Sequence, residues 1–360
     1  MTDYNLEYTS DIDNNNAEIP ISTNSLEAST SGLNADGEFE GSRQSTKNKH
    51  HISGSKRLKI KKIIGVKSNN SSGVKSSVKS GDQVISKIFK EETECKIGDG
   101  KAPICSPKKT LVVMKKFAEK KGKRVKTAKN IVETVKDLLN CNSESCILKR
   151  KDFVEFAAKN NHDLEQILNN FFKPNGPSHS FNFLSNFNID DVLDQFEKRF
   201  KSRKFLHIPF QMRDFEKIGS HLATVDLAKE FSNGYQTFGV VLNTDYSSGK
   251  GIHWFCIFGE LYPDKIEIEY FNSSGKSPLE EVQAWMNKTM HYLEKEMNMP
   301  VNLVYTTGMQ FQHDRHSCGV YCLSYIWLRL EGVPHTWFNK RNFNDDIMHQ
   351  MRKKLFRHEV

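Results

Sequence analysis

The chain has 360 residues, a formal net charge of +8 and seven cysteines, which is length enough for one sizeable core and a small satellite domain. The cysteines are too few and too scattered for a disulfide framework, and their odd number points to free thiols in a reducing compartment. The opening MTDYNLEYTS is polar and acidic, and no apolar run approaches the roughly 18 residues of a membrane span, so neither secretion nor membrane insertion is expected.

Residues 1–42 contain no Lys or Arg, whereas residues 43–130 are dense in both. Residues 1–105 are rich in Asn, Ser, Thr, Gly and Lys with few aromatics. They cannot bury enough apolar surface to offset ordering entropy and read as a disordered extension, first acidic and then basic. Within it, Arg57–Val66 (RLKIKKIIGV) is a solvated charge run or a short strand or binding peptide. Residues 106–178 read as a basic helical arm domain. Its helical character runs from Thr110 to Asn140, and a second helix spans Asp152–Phe172 with Phe153, Phe156, Ala157, Leu164, Ile167, Leu168 and Phe171 on one stripe. The Pro/Gly/Ser stretch KPNGPSHS then marks a boundary near residue 175.

Residues 179–360 hold the main core. Asn188 is placed to cap a helix with Asp191 at its third position, and Ile189, Leu193, Phe196 and Phe200 give that helix an apolar face. The runs FGVVLNTD, HWFCIFGEL and KIEIEYFN predict strands, the last two joined by a tight turn at Tyr262-Pro-Asp-Lys265. Ser277-Pro278-Leu279-Glu280 predicts a capping box opening a helix along Leu279, Val282, Met286, Leu293 and Met297. Strand VNLVY follows, and then the apolar helix Val320–Leu330. Mixed sheet plus flanking helices is an α+β architecture.

Cys318 stands with Gly319 where the polar Gln312-His-Asp-Arg-His-Ser gives way to that last helix. A helix N-terminus favours a thiolate through its free N–H groups and dipole. His253 opens one strand and Asn272 closes its antiparallel neighbour, so both belong to the same end of the sheet. Base, orienting amide, oxyanion-facing Gln312 and nucleophile together are the parts of thiol acyl transfer. Each has a bland alternative: a satisfied core His, the Asn of a turn in Asn-Ser-Ser-Gly, and a small buried Cys. The combination in this order favours catalysis.

His253-Trp254, Asn272, Gln312 and Cys318-Gly319 resemble the signature of the cysteine-protease clan that includes adenovirus protease and the proteases of SUMO and ubiquitin-like proteins. CNSESC, LSNFNIDDVL, PFQMRDFE, FGVVLNTDYSSG and YFNSSGKSP are similar to the viral polyprotein-processing members of the clan, such as that of African swine fever virus. This resemblance covers the chain from about residue 130 onward. It implies a mixed sheet flanked by helices behind a helical arm, and a cysteine endopeptidase that cuts viral structural polyproteins after Gly-Gly during virion maturation. It also implies work in the host cytoplasm and virion without a cofactor or metal. The expected roles are His253 as base, Asn272 as orienting residue, Cys318 as nucleophile and Gln312 as oxyanion donor. The Cys318 pKa is expected to fall from about 8.5 toward roughly 3.5–7.5 in a preformed ion pair with His253. Trp254 is expected to wall a channel that admits only glycine-like backbone, with core packing as its alternative. Asn243 is expected to border the site, unless it is an ordinary strand-end residue.

The same residues admit other classes of function. Deconjugation of SUMO or other ubiquitin-like proteins is the neighbouring reading. The Lys/Arg-rich residues 107–129 could give weak, salt-sensitive DNA or RNA association, although aromatics for base stacking are sparse. An acetyltransferase would reuse the triad. A metal site from His313, His316, Cys318 and Cys322 lacks familiar spacing and would quench the nucleophile. Cys141 and Cys146 are expected as free surface thiols, with pairing or metal binding as alternatives.

Overall fold

The computed structural model describes residues 80–91, 93–97, 104–178, 181–339 and 343–357. Residues 1–79, and with them Arg57–Val66, lie outside the described residues. The expectation of disorder through residue 105 is corrected at its end. Helix α1 (Gly81–Phe89) buries Val84, Ile85 and Ile88 in the main core, with Gly81 set directly against the Trp337 ring. These three apolar positions form one stripe that composition averaged over a hundred residues conceals.

The arm residues fold as α2 (Lys108–Lys120), α3 (Ala128–Leu139), α4 (Glu144–Lys149), α5 (Lys151–Ala158) and α6 (Leu164–Phe171) around their own apolar cluster of Met114, Phe117, Val135, Ile147, Phe153 and Phe172. The single helix expected over Asp152–Phe172 is two, since Asn161 takes a left-handed conformation at φ 49° and Asp163 caps α6 through the Gln166 N–H. The cysteine expectation also fails here. Cys95–Cys105 and Cys141–Cys146 are disulfides, because short loops bring their Cα atoms to 4.9 and 5.6 Å.

The Pro/Gly/Ser stretch after α6 is a packed junction. Lys173 and Ser178 are buried, Asn175 bridges to Arg357, and Gly176 sits against the Phe356 ring so closely that a Cβ would come within 2.3 Å of it. Glycine is required there by contact with the chain's far end.

Helix α7 (Asn186–Arg199) starts one turn earlier than expected. Ser185 is the cap and Asn188 the return partner of a capping box, Ser185 Oγ accepting from the Asn188 N–H and Asn188 Oδ1 from the Ser185 N–H. After β1 (Phe205–His207), α8 (His221–Thr224) and α9 (Leu227–Ser232), the chain lays down β2 (Thr237–Asn243), β3 (Trp254–Tyr262) and β4 (Lys265–Phe271). Helix α10 (Glu280–Met297), β5 (Val301–Thr306), α11 (Cys318–Leu330) and α12 (Asp345–Leu355) complete it. At α10 the expected box is absent: Leu279 stands at the cap without a side-chain bond, and the Ser277 carbonyl accepts from Tyr270 OH instead.

The five strands lie in chain order, parallel at β1/β2 and β4/β5 and antiparallel between, which is the expected mixed sheet. Strand β2 is buried throughout and β3 nearly so, because helices cover both faces. One face carries α7, α11 and α12 through Val241, Cys256, Phe258, Phe271 and Trp327; the other carries α8, α9 and α10 through Val240, Phe255, Ile257 and Trp285. The tight turn holds as expected, with Tyr262 paired to Lys265.

Candidate active site

Where β3 begins and β4 ends, antiparallel pairing sets residues 253 and 272 beside each other. His253 Nε2 and Asn272 Oδ1 are 2.8 Å apart. The bonding around Asn272 fixes the imidazole tautomer. Its Oδ1 also accepts the Ser274 backbone N–H at 3.0 Å, an obligatory donor, while its Nδ2 donates to Tyr270 OH at 3.0 Å. The amide can therefore face only one way, so His253 Nε2 carries the proton and Nδ1 is left as the basic nitrogen.

Cys318 begins α11 and is 2 % exposed. The backbone N–H groups of Trp254, the residue next to His253, of Gly319 and of Cys318 itself lie near enough to the sulfur to favour its thiolate. The thiol is thereby placed at the end of the sheet that holds His253 and Asn272. Gln312 is buried, its Oε1 accepting from Ser273 Oγ at 2.8 Å and its Nε2 turned toward the Asp314 carbonyl at 3.0 Å.

A thiol fed by backbone N–H groups, beside a histidine whose tautomer an asparagine sets, calls for comparison with known thiol enzymes. The profile of the Ulp1 protease family, C-terminal catalytic domain, matches residues 172–359. The chain belongs to that family. Among relatives of this Ulp1-family protease, a cysteine protease of African swine fever virus (isolate Tick/Malawi) is 33% identical over 287 residues, 76% of this chain and 98% of the relative. A protein of the Pig/Kenya isolate, named a SUMO-1 cysteine protease, is 33% identical over the same lengths. A crystal structure of the African swine fever virus protease aligns with TM-score 0.63 at 32% identity, covering 74% of this chain and 96% of that one. The Ulp1-family chain is a cysteine-type peptidase with the fold of that structure.

The electrostatics of this Ulp1-family site depart from expectation. Burial pushes the Cys318 thiol up to about 11, outweighing the three N–H groups that favour the thiolate. Burial likewise holds His253 below its usual 6.5, partly offset by Asn272. Charging either group alone is thus opposed, and the expectation of a thiol depressed to 3.5–7.5 fails because desolvation exceeds what the helix N-terminus returns.

Trp254 has 8 % exposure, and its Nε1 donates to the Leu184 carbonyl at 3.1 Å. Leu184 in turn packs over Gly319, where a Cβ would lie 3.1 Å from it. Asn243 lies opposite Trp254 in the ladder, but its Oδ1 is committed to the Asp245 and Ile252 N–H groups, closing the loop that delivers His253. The four candidate metal ligands His313, His316, Cys318 and Cys322 do not gather among the described residues. The cluster that does, Glu260, Glu267 and Glu269, is occupied by Arg329 and Lys265: Arg329 Nη2 lies 2.6 Å from Glu269, and Lys265 Nζ 2.6 Å from Glu267.

Sequence reasoning missed the residues that support the site. Ser273 couples the two functional amides: Oγ holds Gln312, its carbonyl accepts the Phe311 and Gln312 N–H groups at 2.9 and 3.0 Å, and its neighbour Asn272 holds His253. Asp314 accepts the His316 and Ser317 N–H groups, each at 3.0 Å, and Ser317 Oγ at 2.6 Å, setting the approach to Cys318. Although burial opposes it, these bonds hold the Asp314 carboxyl at about 2. An Asp three residues before the helix-opening Ser is a recognisable turn signal. Ser273 had none, since its partner is 39 residues away.

Proposed function

We propose that this protein is a thiol endopeptidase that cuts viral structural polyproteins after Gly-Gly during virion maturation, in the host cytoplasm where particles assemble. The observation that carries the reading is the pairing of His253 Nε2 with Asn272 at 2.8 Å, with the Cys318 sulfur near the backbone N–H of the adjoining Trp254. His253 Nδ1 takes the Cys318 proton as sulfur attacks the scissile carbonyl, and later gives it to the leaving amine. The oxyanion is met by the Cys318 N–H and by Gln312 Nε2, which donates to the Asp314 carbonyl until substrate arrives. Water then hydrolyses the thioester with His253 again as base. Trp254, Leu184 and Gly319 close in on a thiol that is 2 % exposed, which suits residues without side chains on the acyl side.

The test is cleavage of matched peptides. Gly-Gly-X is expected to be cut after the second Gly, and Ala-Ala-X is not; Cys318→Ala and His253→Ala abolish turnover. Hydrolysis retained in the Cys318 variant places the nucleophile elsewhere. A second reading, deconjugation of a ubiquitin-like protein, draws support from the relative named a SUMO-1 cysteine protease. It predicts far faster release from a folded SUMO carrying a C-terminal leaving group than from the short peptide.

A further inference from the structure

Between the arm and the core lies a cleft of about 580 Å³, walled by α12 on one side and the start of α4 on the other. Four of its lining residues are Lys136, Lys173, Lys353 and Lys354. Lys173 is 6 % exposed, and its ammonium, which meets no hydrogen-bond acceptor among the described residues, is not fully enclosed and opens on the cleft. A largely buried cation that opens only on a cleft gains from an anion placed there.

The carboxylates in the cleft do not do so. Glu94 accepts Ser145 N–H and Oγ, both at 3.0 Å, and Glu144 accepts the Cys105 and Ser106 N–H groups at 2.9 and 2.7 Å. Glu91 is the remaining acid among the described lining residues; its backbone carbonyl takes Lys354 Nζ at 2.9 Å, and its carboxylate acts on Lys173 only as a weaker electrostatic influence. Burial first and the neighbouring Lys354 second lower Lys173 to about 8, against the weaker opposing pull of Glu91 and Glu94.

We propose that this cleft binds a small phosphate-bearing polyanion, with Lys173 at its floor and Lys353, Lys354 and Lys136 at its rim. The volume accommodates a compact ligand of that class, and lysine binds phosphate as a point charge without demanding fixed geometry. The site stands apart from the catalytic reading and survives its failure. Yet the two are joined through α12: Gln350, Lys353 and Lys354 line the cleft, while Asp345 accepts the His313 and Asp314 N–H groups and Arg352 donates to the His316 carbonyl. A ligand there braces the helix that holds the approach to Cys318.

The test is calorimetric titration of the full chain with inorganic pyrophosphate near neutral pH. Saturable one-to-one binding is expected, weakened at least tenfold in Lys173→Met and severalfold in the exposed Lys353→Gln, and unchanged in Lys115→Gln, which lies on α2 outside the cleft. Affinity falls as the pH is raised through about 8, where Lys173 loses its proton. Should Lys173→Met fail to fold by circular dichroism, Lys353→Gln decides. Heat that does not saturate, or equal affinity in the cleft variants and the wild type, overturns the proposal.

Discussion

Ser273→Ala is the most informative single substitution, because it touches neither thiol nor imidazole and yet should slow the chemistry. Ser273 Oγ, 2.8 Å from Gln312 Oε1, is the donor that holds the amide whose Nε2 rests on the Asp314 carbonyl and serves as oxyanion donor in the proposed mechanism. Removing it leaves a buried acceptor unsatisfied, at a cost of about 1–3 kcal/mol, and frees Gln312 to turn. The ceiling is loss of one oxyanion donor, roughly 10²- to 10³-fold in turnover. Part of the amide's positioning survives through the Gln312 N–H to Ser273 carbonyl bond at 3.0 Å, so a fall in kcat of about tenfold is expected, equivalent to about 1.4 kcal/mol. KM should barely change. The paired assay is alkylation of Cys318 by iodoacetamide, which needs the sulfur but forms no oxyanion, and its rate should match the wild type. A kcat within twofold of wild type, or alkylation that slows in step with turnover, refutes the reasoning.

Other outcomes follow from the same geometry. Gly275 has φ +71° and its missing Cβ would lie 2.6 Å from the Met309 carbonyl oxygen, so Gly275→Ala should lower stability by about 1–3 kcal/mol and depress activity by disturbing the Asn272 turn; an unchanged urea midpoint and turnover would count against it. Because burial holds His253 below 6.5 while Cys318 stands near 11, kcat/KM should fall along an acidic limb centred below pH 6.5 as the base is protonated, and show no alkaline loss from the thiol below that upper value. An acidic limb centred above 6.5 contradicts this. At His207, burial is outweighed by the bonds to Asp190 and Asp194, raising it to about 9. A raised histidine stabilises the fold fully below its unfolded value near 6.5, and that stability drains away as pH climbs to about 9. The gap at 1.36 kcal/mol per pH unit gives about 3 kcal/mol, less for the half-exposed Asp194, read by urea unfolding. His207→Gln should flatten that slope, and a slope that persists in the variant would sink the assignment.

The sheet and the pairing of His253 with Asn272 were legible because they depend on local signals: β-branched runs, a two-residue turn, and alternation that brings strand ends together. Gln312 and Cys318 were legible from order and spacing. What escaped was set by distant partners. Helix α1 finds the cover for its stripe in Trp337, α11 and α12; Gly176 answers to Phe356; and the cysteine pairs depend on loop paths. Ser185 displaced Asn188 as cap for a local reason, since the two bond reciprocally. The thiol's pKa was misjudged for a related reason, since the helix N-terminus is visible in the sequence and the depth of burial is not.

The central claim is that Cys318 is the sulfur acylated by a Gly-Gly carbonyl with His253 as its base. Intact-mass analysis and peptide mapping after incubation with a Gly-Gly electrophile, such as a C-terminal propargylamide, test it directly. One adduct per chain on Cys318, absent in Cys318→Ala and strongly slowed in His253→Ala, is the predicted result; labelling of Cys256 or Cys322 instead, or labelling of Cys318 indifferent to His253, would contradict it.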